Sequence, residues 1–176
     1  MRFSYAMISV ASAALALSGS GLAAARGGVS APHLAENSFA ALAQPLPYPY
    51  DEAGNAGRDV DAALARAKAA HKLLLIDMGG NWCGDCRVLA GTMALPDLAP
   101  FVARHFVVVT VDVGRFSKNM DVARRFGAQR PTGVPALLIV DPDNNALLDN
   151  GHTQALADAR SMNPQALADW LAQWVK

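Results

Sequence analysis

Cysteine is scarce in this chain: among 176 residues only Cys83 and Cys86 are present. A structural zinc site usually draws four ligands from cysteine pairs or spaced histidines. Here there is no third cysteine, and His33, His71, His105 and His152 lie scattered without ligand spacing, so no metal site is expected. Charge of one sign is also missing as a run. Fifteen basic residues balance fifteen acidic ones, which argues against a nucleic-acid groove or a polybasic membrane patch. Beyond the N-terminus no apolar run approaches the ~20 residues that a spanning helix needs, and there is no internal repeat.

Apolar material is plentiful: 52% of the residues are hydrophobic, enough for the core of one domain. The first residues, "MRFSYAMISVASAALALSGSGLAAA", join Arg2 to an apolar run from Tyr5 to Leu17 and to Ala23 and Ala25 in A-x-A spacing. That order is the pattern of a secretory signal peptide cleaved near Ala25. The run is short for a membrane anchor and is diluted by Ser9, Ser12 and Ser18, and no cysteine follows it to carry a lipid. The expectation is an exported, periplasmic, soluble protein. Outside the cytosol a close cysteine pair can cycle or remain oxidised.

Residues 26–57 carry Gly27, Gly28, Pro32, Pro45, Pro47, Pro49, Gly54 and Gly57 with no sustained period. They read as a linker or a wrapping segment. The domain proper is expected over 58–176. Val60, Ala63, Leu64 and Ala67 recur at helical spacing from Asp59 onward. "KLLLIDM" (72–78) is a continuous apolar run broken only by Asp77, as in a strand covered on both faces. A helix is expected from the cysteine pair to Thr92, a helical turn after Pro96, a strand over 106–113, and a helix ended by Gly127. "ALLIVD" then reads as a strand turning through "DPDNN" into "ALLD" as a hairpin. In the last helix Asn163 caps and Pro164 opens; Leu167, Trp170, Leu171 and Trp174 form a stripe expected to pack its tryptophans on the sheet. Strands alternating with helices, then a hairpin and a closing helix, indicate an α/β fold with a mixed central sheet flanked by helices on both faces.

"NWCGDCRVL" (81–89) concentrates the chemistry. A C-x-x-C pair is a redox couple, half of a metal site, or a crosslink. As a crosslink it closes a loop of about four residues and gains only ~2 kcal/mol before strain is subtracted, which makes a purely stabilising role weak. As a redox couple at a helix start, Cys83 sits where free N–H groups and the helix dipole favour the thiolate, lowering its pKa from ~8.5 toward ~7. Cys86, one turn further in, is placed to resolve a mixed disulfide formed at Cys83. A soft metal ion such as Cu(I) also accepts two thiolates, so a binding module or copper carrier without turnover is the competing reading. Asp77 is open on position alone: a carboxylate satisfied at a strand end, or a buried one with a raised pKa.

The ordered set "LLLIDM", "WCGDC", "VVVTVDV" and "GVPALLIVD" resembles the thioredoxin family over roughly 58–176. Within it the exported character and the "DMGGNWCGDC" segment are similar to the thioredoxin-like periplasmic domains that relay electrons, including the C-terminal domain of the membrane disulfide reductase. The resemblance implies a thioredoxin-like three-layer fold and a thiol–disulfide oxidoreductase acting on protein substrates through Cys83 and Cys86. It also implies a proton-transfer role for Asp77 beside Cys86 and a cis bond between Val134 and Pro135, with Trp82, Val134 and Pro135 in contact with substrate. No cofactor is implied beyond the redox-active disulfide itself.

Two departures stand out. Gly84-Asp85 replaces the family's usual Gly-Pro between the cysteines, and Gly79-Gly80 replaces an aromatic residue shortly before the tryptophan. The Asp85 carboxylate is expected to repel the Cys83 thiolate unless it points into water and is screened. Repulsion favours the disulfide form, hence a reductant. The expected partners are proteins bearing disulfides or thiols and a membrane-bound electron donor. Monomer is the default state.

Overall fold

The run Leu73–Gly79 has no polar member except Asp77 and forms the central strand β1 in the computed structural model, which describes residues 28–176. The segment read as a signal peptide lies outside the described residues. β1 pairs in parallel with β2 (Phe106–Asp112) and antiparallel with β3 (Ala136–Asp141), and β3 pairs with the two-residue β4 (Ala146–Leu147), giving the order β2-β1-β3-β4. Because alternate residues of a strand point to opposite faces, β1 feeds two cores. Leu74, Ile76 and Met78 pack beneath α1 (Ala56–Ala70) and α4 (Asp121–Arg125). Leu75 packs with α2 (Gly84–Met93), α3 (Ala99–His105) and α5 (Pro164–Ala172). The result is the expected mixed sheet between helical layers. No helix among the described residues is long and apolar enough to cross a membrane.

Local chemistry moves three boundaries. α1 starts at Ala56, three residues before the apolar period, because the Asn55 side chain accepts the Arg58 N–H at 3.0 Å and caps the first turn. The hairpin's second arm stops at Leu147 because Asp149 turns inward. Its Oδ1 accepts the Ile139 N–H at 2.9 Å, a place that a longer strand's carbonyl would take. The tryptophan stripe is corrected as well. Leu167 and Leu171 are fully buried, whereas Trp170 and Trp174 pack against that core only half-buried, as a T-shaped pair, and α5 ends at Ala172 before Trp174.

Residues 28–55 lie along the domain as a strap. Gln165 receives the Leu34 N–H and donates to the Pro32 carbonyl, burying Leu34. Arg87 of α2 donates to the carbonyls of Leu46 and Pro47 at 2.7 and 3.0 Å and stacks on Tyr48, and Thr110 of β2 donates to the Pro49 carbonyl at 2.8 Å. A proline-rich chain has few N–H groups to offer, so the domain's side chains supply donors to its carbonyls. The strap therefore arrives at the C-terminal end of β1 in a fixed register.

Candidate active site

The N-cap of α2 is Cys83 itself. Its backbone is extended (φ −91°), and its Sγ accepts the Cys86 N–H at 3.1 Å. Sulfur thus occupies the position where a capping serine or aspartate oxygen usually stands, beside N–H groups that have no partner in the helix. Cys83 is joined to Cys86 by a disulfide. Cys83 keeps 6% of its surface exposed and Cys86 none, so only the first sulfur is open to a partner. The Val134–Pro135 peptide bond is cis, as the family resemblance implies, and the Val134 carbonyl lies 3.5 Å from Cys83 Sγ. Gln154 pins this loop by accepting the N–H groups of Thr132 and Gly133 at 3.0 and 2.7 Å.

Behind the pair stands Asp77, fully buried at the register position between Thr110 of β2 and Leu137 of β3. It shares the face of β1 with Gly79. Its Oδ1 accepts a hydrogen bond from the Tyr50 hydroxyl at 2.9 Å, and its Oδ2 has no partner among the described residues. Burial pushes the Asp77 carboxyl up to about 7, against the smaller opposing pull of the Tyr50 hydrogen bond. Burial and the neighbouring carboxylate drive the Tyr50 phenol far above its ordinary value, so it remains a proton donor. Gly79 makes room for this arrangement. A Cβ there would overlap the Tyr50 hydroxyl and stand 2.8 Å from Cys86 Sγ, so the phenol and the buried sulfur flank the same small space. Asn81 fastens Tyr50 in place, accepting its N–H at 3.1 Å and donating to its carbonyl at 2.9 Å.

Asp85 overturns an expectation. It neither faces Cys83 as an unbalanced charge nor points into water. It is 8% exposed, and its carboxylate accepts the Arg160 backbone N–H at 2.8 Å and Nε at 3.0 Å, with Nη2 of the same guanidinium at 3.0 Å. A buried carboxylate needs such partners, and the 3₁₀ turn Ala159–Ser161 brings them. The guanidinium lies over Gly84 so closely that a Cβ there would sit 3.3 Å from it. On the other rim Trp82 is 40% exposed, edge-on to Phe116, with the Arg115 guanidinium 5.0 Å above its ring.

All eight site residues read from the sequence, Asp77, Trp82, Cys83, Gly84, Asp85, Cys86, Val134 and Pro135, border this one locus. Sequence reasoning missed Tyr50, Arg160 and Gln154. Arg160 and Gln154 carry no local signal, being 75 and 21 residues from their partners. Tyr50 had an indirect one: two glycines where relatives place an aromatic leave a hole that some other ring must fill.

The family profile described as thioredoxin-like matches residues 55–142. Among solved structures, a disulphide isomerase from Xylella fastidiosa Temecula1 superposes with a TM-score of 0.67 at 36% identity, covering 73% of this chain and 97% of that one. Comparison with curated proteins yields no match. With a C-x-x-C disulfide at a helix start facing a cis-proline loop, the chain belongs to the thioredoxin-like family as a thiol–disulfide oxidoreductase.

Proposed function

We propose that this protein is an exported thiol–disulfide oxidoreductase that reduces disulfides in protein substrates and is recharged by a membrane-bound electron donor. The observation that carries the reading is the division of labour between the two sulfurs. One is slightly exposed at the helix N-terminus beside the Val134 carbonyl; the other is fully buried in front of a raised-pKa carboxylate. The Cys83 thiolate attacks a substrate sulfur, forming a Cys83–substrate disulfide and releasing the other substrate cysteine as a thiolate that takes a proton from water. The Cys86 thiol then passes its proton to Asp77 and attacks Cys83 Sγ. The Cys83–Cys86 bond forms, the substrate thiolate departs, and two electrons have moved to the substrate. Trp82 and the Val134–Pro135 loop hold the extended substrate segment, which pairs with the loop backbone as an added strand.

The reducing direction is supported by the absence of a cation or histidine between the cysteines. The guanidinium over Gly84, that of Arg160, is matched by the Asp85 carboxylate. Export is supported by the N-terminal pattern. The test is the equilibrium potential of the pair in protein lacking residues 1–25, titrated against glutathione and dithiothreitol, together with a count of substrate disulfides reduced per molecule. A value near ~−270 mV with many turnovers supports the reductant. A value near ~−120 mV makes the protein a disulfide donor. A stoichiometric reaction that stops at one equivalent, with tight Cu(I) binding, replaces the enzyme by a metal carrier.

A further inference from the structure

The strap is more than a cover. It crosses the C-terminal end of β1, anchored by Arg87 and Thr110, and delivers one polar group to the interior, the Tyr50 hydroxyl. Tyr50 is 3% exposed and lies 27 residues before its partner. The hydroxyl donates the only side-chain hydrogen bond that Asp77 receives among the described residues, and it does so to one oxygen, leaving Oδ2 unpartnered. The groups around Asp77 are otherwise poor in charge. α2 presents Cys86, and β2 presents Thr110, which is committed to the strap. Asp112, at the end of β2, is neutralised by Lys118. β3 contributes the apolar Leu137 at the register position opposite Asp77. Among the described residues no cation pairs with Asp77, so a neutral donor is what the site has for that purpose.

We infer that Tyr50 is a positioning residue for the resolving step: by donating to Oδ1 it favours the carboxylate form of Asp77 against the effect of burial and aims the free Oδ2 toward the Cys86 side of the cavity left by Gly79. This rests on Asp77 being the proton acceptor for Cys86. Three placements meet at one point. The hydroxyl bonds Asp77, the same hydroxyl and Cys86 Sγ border the Gly79 space, and Asn81, two residues before Cys83, clamps the Tyr50 backbone from both sides. A hydrogen bond to a charged acceptor favours the charged form, in line with the lowering effect that the phenol has on Asp77. The N-terminal segment is thereby part of the active site.

The step is read by single turnover. Fully reduced protein reacts with stoichiometric dithiobis(nitrobenzoate), and the second release of nitrothiobenzoate is followed from acid to alkaline pH. In that release Cys86 loses its proton to Asp77, the Cys83–Cys86 bond forms, the bond from Cys83 to the reagent breaks, and the reagent leaves as a thiolate with the electron pair. Wild-type protein is expected to show an inflection from Asp77. Tyr50→Phe keeps the ring and is expected to move that inflection upward by about one pH unit, slowing release about ten-fold on the acid side while the alkaline plateau recovers. Fluorotyrosine placed at position 50, a stronger donor of the same shape, is expected to move it down. Asp77→Asn is expected to erase it, after which Tyr50→Phe adds nothing.

An inflection lost in Asp77→Asn yet unmoved by both changes at position 50 overturns the role of Tyr50 and leaves Asp77 as the acceptor. An inflection that survives Asp77→Asn overturns both. Should Tyr50→Phe fail to fold by circular dichroism, the fluorotyrosine protein alone decides, through the direction of its shift.

Discussion

Two aspartates bracket the cysteine pair, one behind Cys86 and one beside Cys83, and the regions around them are built on opposite principles. Asp77 is sealed in the sheet with a neutral phenol as its partner and one oxygen unmet. Asp85, also mostly buried, meets a guanidinium and a backbone N–H that together occupy both oxygens. A carboxyl left in a dry site without a cation exchanges its proton near neutrality, whereas one paired with a guanidinium serves as a fixed anchor. Between these two aspartates, burial alone does not tell the working carboxylate from the structural one; the charge of the partner does.

The severest way to break this division is to remove the sulfur that Asp77 serves. Cys86→Ala is expected to abolish turnover while Cys83 still reacts, leaving a mixed disulfide that mass spectrometry detects at Cys83 alone. Next comes Asp77→Asn, expected to lower turnover about 10²-fold at neutral pH, the lower end of general acid–base effects, while stabilising the fold. The sign follows from linkage. The folded carboxyl, near 7, holds a proton that the unfolded one, near 3.8, has released, so wild-type stability falls as pH rises between those values. Above that window the asparagine protein is expected to be more stable by up to about 4 kcal/mol, and below pH ~4 the difference vanishes. Urea melts at acid and alkaline pH check it. Gly79→Ala is expected to follow, destabilising by about 1–3 kcal/mol because its Cβ collides with Tyr50 and crowds Cys86; the same melts read it.

How far these regions were legible in the sequence tracks how local their causes are. The α2 start, the alternation of β1 and the loop at Pro135 follow from neighbours within a few residues, and "WCGDC" with "GVP" was enough to place them. Asp77 was readable as an odd polar group in an apolar run. Its partner was not, since nothing in "PLPYPYDEAG" says which tyrosine turns inward; only Tyr50 does, while Tyr48 stays 64% exposed under Arg87. Asp85 was misread for the same reason. Its expected repulsion of Cys83 assumed no countercharge, and the countercharge comes from a 3₁₀ turn 75 residues away. Long-range pairing, not propensity, decided what each carboxylate does.

The smallest expected effect probes that pairing directly. Arg160→Gln removes the cation over Gly84 and leaves Asp85 to act on Cys83 as a bare negative charge, which destabilises the thiolate and favours the disulfide. The guanidinium is largely exposed and screened by salt, so the potential is expected to move by only ~10–30 mV in the negative direction. Asp85→Asn leaves the cation unopposed and is expected to move the potential the other way. The double variant is expected to return close to wild type, because it removes two opposite charges that lie together. Titration of all three proteins against dithiothreitol at low and high salt checks the series. Equal shifts of one sign in both single variants would mean that the pair acts by shaping the Gly84 backbone, and then Asp85 is a hinge for the active-site loop with no electrostatic hold on Cys83.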